Sequence, residues 1–160
     1  GAGAVTATTG AGNDSITVTA ATGAIVVTAG AGADAITLVG GHAGGATINY
    51  GTLVTVLNQT GATLATADSI TGFNAVTDQI KTGTAGTGTN YAEAGTAASF
   101  AAASIAADAA LDATVLYYLT DTAANGGLLF VDSDSNGSFD AVIQLAGVTS
   151  ASFGFGDITA

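Results

Sequence analysis

The chain contains no cysteine, proline, methionine or tryptophan, and Lys81 and His42 are its only basic side chains. Without cysteine there are no disulfides, thiolate zinc sites or thiol nucleophiles. One lysine cannot build the cationic surface that nucleic acids or anionic membranes require. Charged residues make up only 8% of the chain while 48% is hydrophobic, so the composition is that of a folding chain rather than a disordered one. No apolar run reaches membrane-spanning length before Gly, Thr or Asp breaks it. No charged n-region with an apolar h-region marks a signal peptide, and the chain starts inside a repetitive pattern. It reads as a piece or processed form of something longer.

Catalytic signatures are missing too. There is no G-x-S-x-G elbow, no H-E-x-x-H and no P-loop. His42, the only imidazole, lies in the glycine-rich run Gly40-Gly41-His42-Ala43-Gly44-Gly45 and reads as a surface turn residue. The chain is therefore expected not to be an enzyme.

What is present is narrow. Ala, Thr and Gly contribute 36, 26 and 24 of 160 residues, a length that suits one domain or two pieces sharing a core. Eleven Asp and the single Glu93 leave a net charge of -11. Salt bridges cannot neutralise that charge. Either the carboxylates stand apart in water and serve solubility, or hard cations such as calcium hold them.

The first fifty residues repeat. Val5-Thr6-Ala7, Ile16-Thr17-Val18, Ile25-Val26-Val27, Ile36-Thr37-Leu38 and Ile48-Asn49-Tyr50 are short β-branched strands, with first residues spaced 11, 9, 11 and 12 apart. Gly/Ala-rich turns separate them. Strands this short suit a parallel coil that stacks turn on turn, with about 20 residues per turn. Two turns read Gly10-Ala11-Gly12-Asn13-Asp14-Ser15-Ile16 and Gly30-Ala31-Gly32-Ala33-Asp34-Ala35-Ile36, the pattern G-x-G-x-D-x-U. The opposite half-turns, Gly1 to Val5 and Ala21 to Ile25, lack the Asp and read as metal-free.

Here the sequence resembles the RTX family, secreted bacterial proteins whose parallel β-roll holds calcium between turns. The resemblance implies calcium ligands from turn carbonyls and Asp side chains, at Gly10, Gly12 and Asp14, and at Gly30, Gly32 and Asp34. Thr9 and Ala29 stand where the family has a further glycine. A Gly/Ala-rich β-solenoid without metal is the alternative. Thr52 to Leu57 reads as an uninterrupted strand. Asp68-Ser69-Ile70-Thr71-Gly72-Phe73 and Asp78-Gln79-Ile80 are similar to the segment that ends RTX rolls. That implies calcium at Asp68 and Asp78; two Asp residues in polar turns are the alternative. Residues 82–92 are Gly/Thr-rich and read as a loop.

Residues 96–112 form the one clear helix, rich in Ala, with Thr96 or Ser99 as N-cap. Phe100, Ala103, Ala107, Ala110 and Leu111 share its apolar stripe. Residues 115–119 and 128–131 flank the hairpin signal Asn125-Gly126-Gly127, and 141–145 reads as a third strand. Between the last two lies Asp132-Ser133-Asp134-Ser135-Asn136-Gly137-Ser138-Phe139-Asp140. Oxygen ligands at positions 1, 3 and 5 with Gly at 6 wrap a calcium ion, and the Ser138 carbonyl and Asp140 supply positions 7 and 9. Ile143 stands where an EF-hand carries its bidentate Glu, and no helices flank the loop. The missing ligand leaves weak affinity or a donor from elsewhere, such as Asp121 or Asp157. An Asx-turn hairpin without metal is the alternative.

The expected fold is mainly β: a parallel β-roll over 1–81, then a capping subdomain over 82–160 with one helix (96–112) and antiparallel strands (115–158) around the calcium loop. The segment from Tyr117 to Ile158 also resembles the C-terminal domain of RTX proteins exported by type I secretion. With this composition, the resemblance implies a Ca2+-binding structural part of an extracellular, cell-surface, self-assembling surface-layer protein. Implied partners are copies of itself in a lattice, the secretion machinery in transit, and cell-surface polysaccharide through upstream parts; nucleic acid is excluded. The alternative is the secretion and folding tail of an exported hydrolase or adhesin. Three N-x-S/T matches, at Asn13, Asn58 and Asn136, arise by chance in so Ser/Thr-rich a chain.

Overall fold

The β-branched triplets become strands because Val, Ile and Thr suit a pleated, half-buried surface. In the computed structural model, which describes residues 3–19, 22–56 and 58–160, they form β1 (Val5–Thr8), β2 (Ser15–Thr19), β3 (Ile25–Thr28), β4 (Ala35–Val39) and β5 (Ala46–Asn49). Alternation decides the buried face: Ile16 and Val18 of β2 are buried while Ser15, Thr17 and Thr19 are exposed. Successive strands go to different sheets. β1 pairs β3 in parallel with Val5 opposite Ile25, and β2 pairs β4 in parallel with Ile16 opposite Ile36. The spacing of 20 residues in the sequence is the register of both pairs.

Turns stack as closely as the strands. Gly30 adopts φ +95°, and a Cβ there would overlap the Gly10 carbonyl; at Gly32, with φ +146°, it would overlap the Gly12 carbonyl. Gly12 N donates to Ala31 O and Ala31 N to Gly10 O, so the two G-x-G turns are bonded backbone to backbone.

After β5 the register lengthens. β6 (Asp68–Thr71) pairs β4 in parallel with Ile36 opposite Ile70, because an insertion intervenes. The strand expected over Thr52 to Leu57 is instead a helical turn, α1 (Leu53–Val56); Leu57 lies outside the described residues. Local hydrogen bonds outweigh β-propensity here. Gly51 turns the chain at φ +79°, Thr55 Oγ1 donates to Tyr50 O, and Val56 N donates to Thr52 O. β7 (Gln79–Lys81) then pairs β5 in parallel.

The segment expected as a loop to residue 92 ends in a strand, β8 (Tyr91–Glu93), held by parallel pairing to β9 (Tyr117–Thr122). The long helix is α2 (Phe100–Ala110), shorter than expected at both ends. Ser99 is its N-cap, accepting from Ala102 N at 3.2 Å, while Thr96 instead donates to Asp121 Oδ2. Ala103 and Ala107 are fully buried, and their small side chains let α2 lie close on Tyr118, Leu128, Phe130 and Val142.

β10 (Gly126–Val131) and β11 (Ala141–Ala146) complete an antiparallel β9-β10-β11 meander, and β11 pairs β6 in parallel. After a 3-10 turn over Phe155–Asp157, β12 (Ile158–Thr159) pairs β7. The described residues thus form a mainly β structure of two sheets and two helices, with strand orders β1-β3-β5-β7-β12 and β2-β4-β6-β11-β10-β9-β8. One apolar cluster runs from Ile16 to Ile158, so both halves of the chain share it.

Candidate metal centre

The loop between β10 and β11 is organised around Asp132, which is fully buried. Its Oδ1 accepts from Ser135 N at 2.7 Å and, more weakly, from Asp134 N and Asn136 N at 3.3 Å; its Oδ2 accepts from Gly137 N at 2.8 Å. Ser135 at φ +62° and Gly137 at φ +86° make the sharp turn. Asp140 Oδ2 accepts from Ser133 N and Oγ, which closes the base of the loop. Exposed Asp134 is bonded only within the loop, accepting from Asn136 N and Nδ2 at 3.1 Å. Asn136 Oδ1 accepts from Ser138 N.

Carboxylate oxygens of Asp132, Asp134 and Asp140 lie within 4.8 Å of one another, the one such acidic trio among the described residues. Like charges at that distance repel by about 1 kcal/mol per pair even at the dielectric of water. The surroundings add negative potential. Asp108 Oδ1 accepts from Phe139 N, and Gly137 lies beside the Leu111 carbonyl at the C-terminal end of α2, the negative end of a helix dipole. Neither basic side chain helps: Lys81 Nζ bonds Ala160 O and His42 pairs with Asp78. Asp121 and Asp157 do not supply a further ligand. Asp121 is held by Ser150 and Thr96, whose bonds, the Ser150 N–H first, lower its carboxyl below the usual range; Asp157 Oδ2 accepts from Gly154 N.

In the first half Asp14, Asp34 and Asp68 form a ladder across the N-terminal ends of β2, β4 and β6. Asp14 N donates to Asp34 Oδ1 at 2.7 Å, and Asp34 N donates to Asp68 Oδ1 at 2.8 Å. Asp34 is 2% exposed, and its Oδ2 is buried without a partner. Burial pushes its carboxyl up, with the Asp14 charge adding to the rise. Gly10, Gly12, Gly30 and Gly32 lie in the stacked turns beside this ladder. Asp68, fully buried, also accepts from the Tyr50 hydroxyl at 2.9 Å through Oδ2. Burial raises its carboxyl to about 7.

Asp78 is built differently. Oδ1 accepts from Ala46 N and Thr77 Oγ1, and Oδ2 accepts from Asn74 N and lies 2.8 Å from His42 Nε2. His42 is only 8% exposed, and its Nδ1 lies 3.0 Å from the Gly40 carbonyl oxygen. The expected surface histidine is thus a buried clasp between the turn before β5 and the turn before β7. Nothing local in the sequence signals this pairing across 36 residues; the scarcity of cations in so acidic a chain was the only hint. Compared with protein-family models and with curated proteins, the chain matches none. Among the described residues, no helix is long and apolar enough to cross a membrane.

Proposed function

We propose that the chain is a calcium-binding structural module of an extracellular, self-assembling surface-layer protein, folded as an RTX-type β-roll with a calcium-loop cap. The observation that carries this reading is the trio Asp132, Asp134 and Asp140, converging without a protein cation at the negative end of α2. Asn136 and the Ser138 carbonyl complete an oxygen ligand set suited to Ca2+. The unpartnered Asp34 Oδ2, with Asp14 and the carbonyls of Gly10, Gly12, Gly30 and Gly32, forms a second ligand set in the roll. Asp68 and Asp78 stay outside the proposed sets because a buried side chain from outside their motifs, Tyr50 for Asp68 and His42 for Asp78, holds an oxygen of each. Alternation of β1 to β5 between two sheets, with parallel pairing among these strands in each, supports the roll.

Assembly follows from the sheet orders. β1 and β2 each lie at one edge of their sheet, and unpaired edges template further strands. Calcium removes the charge repulsion that keeps copies apart. Export by type I secretion and folding outside the cell, where calcium is abundant, complete the proposal. Calorimetric calcium titration tests it: Asp134→Ala loses the cap ions and Asp34→Ala the roll ions. Unchanged stoichiometry in both overturns the ligand sets. A strictly monomeric chain in millimolar calcium would replace the lattice role with that of a secretion and folding tail.

A further inference from the structure

A cavity of about 420 Å³ lies far along the seven-stranded sheet from the Asp ladder, beside β8. Tyr91 and Phe155 form two of its walls, with ring centroids 6.4 Å apart and planes at 65°. Phe153 lies behind them, fixed by its contact with Phe73. Phe155 is 50% exposed, a large apolar surface to leave in water. The polar wall is Glu93, the only glutamate of the chain. Its Oε2 accepts from the Tyr91 hydroxyl at 2.9 Å, which fixes the carboxylate at the hydroxyl end of the Tyr91 ring. Burial, then that bond, then the charges of Glu93 and Asp157 push the Tyr91 hydroxyl up, so both carboxylates act on this ring.

Electron-rich ring faces with nearby carboxylates attract organic cations and repel anions. The backbone beside the cavity is also open. β8 is the last strand of its sheet. Asn90 O accepts from Tyr117 N and Ala94 N donates to Leu119 O, so the even-numbered residues face β9. In a parallel ladder the backbone groups of Tyr91 and Glu93 then point outward. A second copy of this chain is a poor source of the cation, because its Lys81 bonds Ala160 O and its His42 is buried against Asp78.

We propose that the groove beside β8 binds an extended segment of a different, basic polypeptide, which pairs with Tyr91–Glu93 and seats a lysine or arginine side chain against Tyr91, Phe155 and the Glu93 carboxylate. Charge complementarity favours this occupant, since the net charge of -11 draws basic segments from a distance. The inference stands apart from the calcium reading, and calcium is held constant in its test.

The test is an NMR titration of the full chain with acetyl-Thr-Val-Lys-Val-Thr-amide, its arginine counterpart, and a norleucine peptide of the same shape without the charge. The lysine or arginine peptide is expected to give saturable shifts centred on Tyr91–Glu93 and Phe155. The norleucine peptide is expected to bind about fivefold more weakly, and Glu93→Gln or Phe155→Ala to weaken the basic peptide about threefold. Both side chains are exposed, so these variants keep the fold. The norleucine comparison uses the unaltered chain and decides the matter independently of them. Equal affinity for norleucine, shifts centred elsewhere, or no saturable binding by either basic peptide would overturn the proposal.

Discussion

Replacing Asp68 with asparagine removes the carboxylate that burial disfavours most clearly. Asp68 is fully buried, and desolvation raises its carboxyl to about 7, against the bonds from Asp34 N–H and the Tyr50 hydroxyl that hold it down. In the unfolded chain the same group titrates near 3.9. The folded state therefore binds the proton more tightly. The resulting stabilisation is fully present below about 3.9 and is lost as pH rises through about 7. Between pH 5 and pH 8 the lost stability is roughly 2.5 kcal/mol. Asp34 and Asp157, also raised by burial, act in the same direction. Asp112 and Asp121, lowered by hydrogen bonds, act below their unfolded range and leave this window untouched. The assay is urea unfolding in chelator at pH 5, 6, 7 and 8. The wild type is expected to gain stability toward pH 5, and Asp68→Asn to show a flatter profile and to exceed the wild type at pH 8. An identical slope in both proteins, or a wild type that strengthens toward pH 8, would refute the reasoning.

Four further substitutions probe the fold. Gly30→Ala places a Cβ against the Gly10 carbonyl at positive φ and is expected to cost about 1–3 kcal/mol, whereas Gly10→Ala meets nothing within 4 Å and is expected to cost under about 0.5 kcal/mol in the same urea titration. Ser99→Ala removes the cap of α2 and is expected to lower stability by about 1 kcal/mol, with loss of helical circular dichroism. His42→Ala is expected to cost roughly 2 kcal/mol or more, measured by thermal unfolding near neutral pH, because it takes a buried partner from Asp78; a surface turn residue would cost under about 0.5 kcal/mol.

The parts of the structure legible in the sequence are those set by local periodicity. The pairing of Val5 with Ile25 and of Ile16 with Ile36 follows from a repeat of 20 residues, because parallel stacking turns spacing directly into register. The loop from Asp132 to Asp140 is legible because its geometry is encoded within nine consecutive residues. Reading fails where distant partners decide. Thr52 to Leu57 has β-branched composition, but Thr52 and Thr55 hydrogen bonds fold Leu53–Val56 into a helical turn. Tyr91–Glu93 becomes a strand only because β9 offers an edge. Asp14, Asp34, Asp68 and Asp78 look alike in their motifs, yet Asp68 answers Tyr50 and Asp78 answers His42, and neither partner lies in the motif.

The central claim is that calcium occupies the carboxylates of the β10–β11 loop and thereby stabilises the fold. The most direct test is the thermal unfolding of the wild type and of Asp134→Ala, each in chelator and in millimolar calcium. Asp134 suits the comparison because its bonds stay within the exposed part of the loop, so its loss removes a ligand without removing the four N–H bonds at Asp132. A ligand present at a hundred times its dissociation constant stabilises by about 2.7 kcal/mol. The wild type is expected to melt several degrees higher in calcium than in chelator, and Asp134→Ala to lose a substantial part of that rise. Equal melting temperatures of the wild type in calcium and in chelator, or an undiminished rise in Asp134→Ala, would contradict the account.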